Sequence, residues 1–381
     1  MEKILIFYAS YGGGHLSAAK SIKEHIEANY KTCSVELIDC MKYVNKTIDL
    51  ITTHAYESMA KIAPWVWGKV YSKSESGPIA HISNNSNKLL ALKLHKLLTE
   101  KNPDSIICTH PFASQMCAYL KRKGKLNCNL ATVITDYAPH NQYLVGHEYV
   151  DHYFVAHQGM KQPLIDKGVD ENKIHATGIP LSNKFLAHFN KTEILESLKL
   201  STNKKTILFF GGGEFGLGKN RTYDMFESLL KLEHDFQVIA IAGKNEKMKE
   251  VFESLVDEYQ KHDSIKVLGY TNRVPELMRV SDLVVTKPGG LTTTESLASG
   301  VPLILINPIP GQEEENAEFF VNKNVAIWVK KHDNIDEILN HLLSHPEELR
   351  KMKINAKLLA KRNSTKDICQ IVLGCVGGDI R

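Results

Sequence analysis

The sequence predicts an α/β protein made of two doubly wound domains that face each other across a central cleft. Two observations carry that expectation. Short apolar runs of strand length alternate with helix-length segments, the pattern of parallel sheets covered on both faces. The alternation also restarts part-way, so that two series each open with an apolar strand, a run of glycines and a helical pattern. A chain of 381 residues has room for both, at roughly 100–200 residues per domain.

In the first series the apolar run 4–9 leads into Gly12, Gly13 and Gly14, and a helical pattern follows from Ser17. Further strand-like runs lie at 35–38, 106–108, 130–134 and 153–155, with a helix-length stretch at 84–98. The second series begins with the run 206–210 and continues at 238–241, 265–268, 283–285 and 303–306. Between them the chain turns polar, ending in Ser201-Thr202-Asn203-Lys204-Lys205. The expected domains are therefore 1–185 and 205–360. Residues 361–381 are expected to form a helical segment that packs back on the first domain. In sheets of this kind ligands bind beyond the carboxyl ends of the strands.

The composition, 43% hydrophobic and 24% charged, is that of an ordinary globular protein and excludes disorder over most of the length. No fixed-period repeat is present. No apolar run approaches the roughly 20 residues of a membrane-spanning helix, and the first run is strand-sized, too short for a signal core. Seven cysteines, an odd number with no CxxC pair, speak against a disulfide framework and against a zinc site. A cytoplasmic protein is expected. The net charge is only +4, but residues 1–185 hold 21 basic and 16 acidic side chains against 26 and 27 in the remainder. That excess fits a surface that meets an anionic partner, and it equally fits scatter over a solvated surface.

Three stretches carry candidate chemistry. In Tyr11-Gly12-Gly13-Gly14-His15 a glycine turn joins strand to helix, so backbone N–H groups can approach an anion or a sugar closely. His15 at its mouth could take a proton from a hydroxyl, or it could simply cap the turn. The second stretch, Gly211-Gly212-Gly213-Glu214-Phe215-Gly216-Leu217-Gly218, contains a GxGxxG in the right place for a diphosphate-binding turn. A dinucleotide site would place an acidic residue at the end of the next strand. Ala242-Gly243-Lys244 stands there instead, which argues against NAD and suits a phosphate or a nucleotide base.

The third stretch runs from Thr286-Lys287-Pro288-Gly289-Gly290-Leu291-Thr292-Thr293-Thr294-Glu295 through Gly300-Val301-Pro302 to Pro310-Gly311-Gln312-Glu313-Glu314-Glu315-Asn316. Thr292 to Thr294 can reach phosphate oxygens beside a helix N-terminus. Glu295, one turn into that helix, can accept two hydrogen bonds from a ribose diol. Gln312 and Glu313, opening the next helix, suit sugar hydroxyls. The plain alternative makes Glu295 a capping-box partner and residues 313–315 a solvated first turn.

This block resembles the donor-binding half of a GT-B glycosyltransferase, and specifically the family of monogalactosyldiacylglycerol synthases and processive diacylglycerol glucosyltransferases. Those enzymes are similar to the peptidoglycan transferase that adds N-acetylglucosamine to a polyprenyl-linked precursor. Carrying the resemblance are the Gly-Gly-Gly-His turn, Thr109-His110-Pro111, Thr135-Asp136-Tyr137 with His140, Thr177-Gly178-Ile179-Pro180, and the block 287–316. The resemblance implies two Rossmann-like domains, the first for acceptor and membrane, the second for a UDP-sugar. It implies transfer of glucose or galactose, with inversion, to diacylglycerol or a glycosyl-diacylglycerol. The enzyme would sit peripherally on the inner face of the cell membrane, with no nucleic-acid partner.

Residue by residue, His15 matches the family's base, with Asp136 as the alternative base or as its orienting partner. Glu295 matches the ribose-binding glutamate, and Gln312 with Glu313 match the sugar-binding pair. Val274, in the turn Thr271-Asn272-Arg273-Val274, corresponds to the segment whose backbone holds the uracil. Gly13, Gly14, Gly211, Gly212, Gly213, Lys244, Gly289, Gly290, Thr292 and Asn316 complete the expected donor site. No cofactor and no essential metal are expected, in keeping with the lack of an Asp-x-Asp pair, and Lys219 or Lys244 would help hold the leaving UDP. Transfer to a polyprenyl-diphosphate precursor and epimerisation of a UDP-sugar on the same fold stay open as alternatives.

A lipid acceptor requires membrane contact, and residues 61–73 are the candidate. Trp65 and Trp67 are interleaved there with Lys61, Lys69 and Lys73. Indole rings favour the headgroup interface, and each basic residue near an anionic leaflet contributes about 1 kcal/mol. Vesicle binding should therefore rise with anionic lipid and fall with salt. Replacing Trp65 and Trp67 by Ala should reduce sedimentation with vesicles while sparing UDP binding. Wild-type sedimentation, or unfolding, of the double variant would make the two tryptophans core residues.

Overall fold

The computed structural model describes residues 1–10, 13–44, 78–212 and 219–374. Two compact units divide the chain. Met1–Asn183, Pro310–Gln312 and Lys361–Arg381 form the first, and Lys184–Ile309 with Glu313–Ala360 form the second.

The first unit is built on a parallel sheet of β1 (Glu2–Tyr8), β2 (Cys33–Asp39), β3 (Ser105–Cys108), β4 (Asn129–Val133), β5 (His152–Phe154) and β6 (Ile174–His175). Their spatial order is β2-β1-β3-β4-β5-β6. β1 buries Ile4, Leu5, Ile6 and Phe7 without alternation. A strand buried on both faces must read as a continuous apolar run, which is why this one was legible. One layer of the core joins Ile4 and Ile6 to Ile22 and Ile26 of the helix Gly14–Asn29.

The same layer takes in Ile368, Cys369 and Val372 from the helix Ser364–Val372, close to the end of the described chain. Its docking is specific in hydrogen bonds as well as apolar contact. Ser364 Oγ donates to the Ile179 carbonyl and Thr365 Oγ1 to the Leu181 carbonyl, each at 2.7 Å. Asn129 Nδ2 donates to the Val372 carbonyl at 3.1 Å. Gly178 makes the approach possible: its φ is +95°, and a Cβ there would stand 2.4 Å from Lys361 Cβ. Backbone strain and steric clash both exclude a larger residue at that position.

The second unit repeats the plan with β7 (Lys205–Phe210), β8 (Phe236–Gly243), β9 (Ile265–Gly269), β10 (Leu283–Thr286), β11 (Leu303–Leu305) and β12 (Ala326–Trp328). The order is β12-β11-β10-β7-β8-β9, again with every pair parallel. Phe209 of β7, Phe226 of the helix Lys219–Lys231 and Phe252 of the helix Glu246–Glu258 meet at ring centroid distances of 4.3–5.7 Å. This aromatic cluster fastens helices to the sheet.

Both sheets have a place where the unit's own first strand lies between neighbours reached in opposite directions. In the first unit it lies between β1 and β3, in the second between β7 and β10. The loops leaving adjacent strands diverge there, opening a crevice at the carboxyl ends. His15 and the glycine turns all follow one of these four strands.

Candidate active site

In the first unit the crevice is organised around His15, second residue of the helix Gly14–Asn29. The helix is opened by Gly13, whose φ of +73° lets the chain leave β1 sharply. His15 Nδ1 lies 2.6 Å from the Thr109 carbonyl, just beyond β3, and 3.2 Å from Thr135 Oγ1, just beyond β4. Thr109 Oγ1 in turn donates to the His15 carbonyl at 2.9 Å. A carbonyl oxygen only accepts, so Nδ1 must carry the proton and Nε2 the lone pair. Burial pushes the His15 pKa down to about 4, against a smaller opposing effect of the Thr109 carbonyl. Near neutral pH the ring is thus uncharged, in the tautomer a general base at Nε2 requires.

His110 stands against this ring, with centroids 4.6 Å apart and planes at 80°. Its Nδ1 accepts from the Phe112 amide at 3.2 Å, so the N-terminus of the helix Pro111–Arg122 holds it in place. Burial first, then the neighbouring His15, keep its pKa well below the usual histidine value. Asp136 directly follows Thr135, and its charge helps raise the pKa of the buried Tyr143. The groups on Nδ1 are the Thr109 carbonyl and the Thr135 hydroxyl.

In the second unit the turn after β10 leads into the helix Gly290–Ser299, capped by Gly289 without any side-chain bond. Its first intrahelical bond, Thr293 N–H to the Gly289 carbonyl at 3.1 Å, leaves the amides of residues 290–292 without helical acceptors. Thr293 Oγ1 donates to the Gly289 carbonyl at 2.8 Å and Thr294 Oγ1 to the Gly290 carbonyl at 2.6 Å. Those two hydroxyl protons tie down the turn, so of the three threonines Thr292 is the one left for a phosphate. Asn316 also braces the turn, its Nδ2 donating to the Pro288 carbonyl at 3.0 Å.

Glu295 is half-buried, and burial alone raises its pKa to about 8. Glu313, in the first turn of the helix Gln312–Asn322, accepts from the Ile309 amide through Oε2 at 2.7 Å. Burial raises its pKa, while Lys287 and that amide oppose the rise. Gln312 is the first residue of the same helix and is half-buried. Gly211 packs tightly, since a Cβ there would meet Met248 Sδ at 2.5 Å, and Gly212 turns the chain with φ +107°. Val274 opens the helix Val274–Val280, behind a turn in which the Arg273 amide donates to Thr271 Oγ1 at 3.1 Å. Lys244 is exposed, its Nζ 5.8 Å above the Tyr270 ring.

Gly213, Trp65, Trp67, Lys69 and Lys73 lie outside the described residues. Among the described residues, no group of three or more His, Cys, Asp or Glu side chains could hold a metal ion, and no helix is long and apolar enough to cross a membrane.

Residues 15–181 match the family described as Monogalactosyldiacylglycerol (MGDG) synthase, and residues 190–359 match Glycosyl transferases group 1. The chain is 34% identical over 380 residues to the processive diacylglycerol beta-glucosyltransferase of Bacillus pumilus, covering 98% of this chain and 94% of that one. The chain belongs to the family of monogalactosyldiacylglycerol synthases and processive diacylglycerol glucosyltransferases. Among solved structures, Acinetobacter baumannii MurG superposes with a TM-score of 0.67 at 14% identity, covering 98% of this chain and all of that one. The UDP-GlcNAc 2-epimerase of Neisseria meningitidis, bound to UDP-GlcNAc, gives a TM-score of 0.63 at 16% identity, with 98% and 100% covered. At such identities the likeness is one of fold, the GT-B fold of two Rossmann-like domains. As a member of this family the chain is a glycosyltransferase.

Two features of the candidate site escaped the sequence. Thr109 and Thr135 as holders of His15 were readable only as parts of a motif, because their role depends on β1, β3 and β4 lying side by side. His110 had the same motif as its only signal.

Proposed function

We propose that the protein moves a hexose from a UDP-sugar to the hydroxyl of diacylglycerol or of a glycosyl-diacylglycerol, inverting the anomeric carbon, at the cytoplasmic face of the membrane. The observation that carries the reading is the near-full-length likeness to a processive diacylglycerol beta-glucosyltransferase. That name favours glucose and a β product. The His15 geometry supports the chemistry: the acceptor oxygen bonds to the anomeric carbon, its proton passes to Nε2, and the bond to the β-phosphate oxygen breaks with its electron pair leaving on UDP. Glu295 would hold the ribose diol, Gln312 and Glu313 the sugar hydroxyls, and the amides of residues 290–292 the diphosphate.

Radiolabelled UDP-glucose and UDP-galactose, each offered with diacylglycerol vesicles, test the reading. Glucosylated lipid bearing one or more sugars is the expected product. Product formed only on a polyprenyl-diphosphate acceptor, or conversion of the donor with no acceptor present, would replace it. Activity should also survive EDTA, since no Asp-x-Asp pair stands ready to hold a divalent ion on the diphosphate. Loss in EDTA with recovery in manganese would mean that a metal neutralises the leaving group.

A further inference from the structure

We propose that the helix Pro346–Leu359 of the second unit presents a surface that binds an anionic bilayer, separate from residues 61–73; for its occupant the proposal rests on the lipid-acceptor reading above. The helix docks on its own unit through Leu349, Met352 and Ala356, a buried stripe at the spacing of one helix face. Lys353 Nζ pairs with Asp282, and the Lys357 stem lies against Gly300, where a Cβ would stand 3.0 Å from Lys357 Cγ. One apolar stripe is all that such docking needs. Yet Ile354 and Leu358, one turn apart on the opposite face, stand 52% and 79% exposed. The stretch from Arg350 to Arg362 holds six basic side chains and no acidic one. Arg350, Lys351 and Lys357, which flank the apolar pair, are all exposed. Glu347 shares that face, in the first turn, where the helix dipole favours a carboxylate.

The chemistry of the face selects its occupant. Two aliphatic side chains flanked by long cationic ones match the boundary between headgroups and acyl chains. Ile354 and Leu358 can enter the apolar side, while the stems of Arg350 and Lys351 lie along it and keep their charges among anionic headgroups. A protein partner calls for another surface. The centres of protein interfaces are rich in aromatic residues and poor in lysine, whereas this face offers Lys351 and Lys357 and no aromatic ring. Nucleic acid would use the charges and leave Ile354 and Leu358 in water. Diacylglycerol, the acceptor of the reading above, is itself dissolved in a bilayer. Neither half of the face suffices alone, since two aliphatic side chains bury little area and exposed charges are screened by salt. Binding should therefore require anionic lipid and the apolar pair together.

Flotation of the full chain with vesicles tests this, using equal parts of phosphatidylcholine and phosphatidylglycerol against phosphatidylcholine alone. Arg350→Gln with Lys351→Gln should weaken binding to the mixed vesicles by roughly 30-fold, about fivefold per charge. Ile354→Gln with Leu358→Gln should weaken it by at least about tenfold. On a short-chain diacylglycerol in solution both double variants should turn over as the wild type does, because none of the four residues belongs to the candidate site. All four positions are exposed and glutamine is a good helix former; should the apolar pair still fail to fold, the charge pair decides. Wild-type vesicle binding by the charge pair would overturn the proposal. So would a loss of turnover on the soluble acceptor as large as that on vesicles. Light scattering that shows a wild-type dimer, made monomeric by Ile354→Gln with Leu358→Gln, would make the face a contact between copies instead. If the acceptor reading fails, no lipid product forms from either acceptor while the differences in vesicle binding stand, so the two readings fail separately.

Discussion

His15→Ala should lower turnover by about 100-fold or more, with UDP affinity little changed. The expectation follows from the tautomer. With Nδ1–H committed to the Thr109 carbonyl, Nε2 is left to receive a proton, and burial keeps the ring neutral down to about pH 4. The acid limb of kcat/KM should accordingly lie well below the ordinary histidine value of about 6.5 and should vanish in the variant. Thermal melting separates chemistry from folding, because Thr109 Oγ1 bonds the His15 backbone, which alanine retains. A variant with near wild-type turnover would move the role of base to Asp136. Buried neutral histidines also tie stability to pH. A depressed folded pKa means that the unfolded chain binds the proton more readily, so stability should fall as pH drops from about 6.5 towards 4.

The fold was legible wherever burial on both faces wrote a continuous apolar run. β1, β7 and β8 are such strands, and their runs match the structure to within a few residues. The two short strands the sequence did not reveal, β6 and β12, occupy sheet edges and span only two and three residues. An edge strand has one paired side and a shorter apolar demand, so nothing in Ile174-His175 marks it out. The partner of the final helix was equally unreadable in its detail. That Ser364 and Thr365 bond the carbonyls at 179 and 181 depends on a chain return of more than 180 positions.

The candidate site was legible as residue types and illegible as geometry. Glycine turns after strands and acidic residues at helix starts are local signals, and they led to Gly289, Glu295 and Glu313. Which hydroxyls are already engaged is not local. Thr293 and Thr294 look as suited to phosphate as Thr292 does, until the turn carbonyls claim their protons. Lys244 follows a strand directly, a local signal, whereas its exposed place over the Tyr270 ring is set by packing.

Glu295→Ala should weaken UDP binding by about 2 kcal/mol or more, roughly 30-fold, because it removes two charge-assisted hydrogen bonds to the ribose diol. The burial that raises this carboxyl to about 8 adds a pH signature. Below pH 8 the free protein holds Glu295 largely protonated, whereas two donating hydroxyls favour the carboxylate. UDP binding should then release a proton, and affinity should climb by up to about tenfold per pH unit from pH 6 to 8 before levelling off. Glu295→Gln should bind weakly and without that slope. The same group ties stability to pH in the opposite sense to the histidines. Between the ordinary carboxyl value and 8 the folded chain binds the extra proton, so its contribution to stability is lost as pH rises through that window, and Glu295→Gln should abolish the loss. Calorimetry in buffers of different ionisation enthalpy reads the proton directly. Binding of UDP with unchanged affinity in Glu295→Ala, or with no proton released by the wild type at pH 7, would remove Glu295 from the ribose.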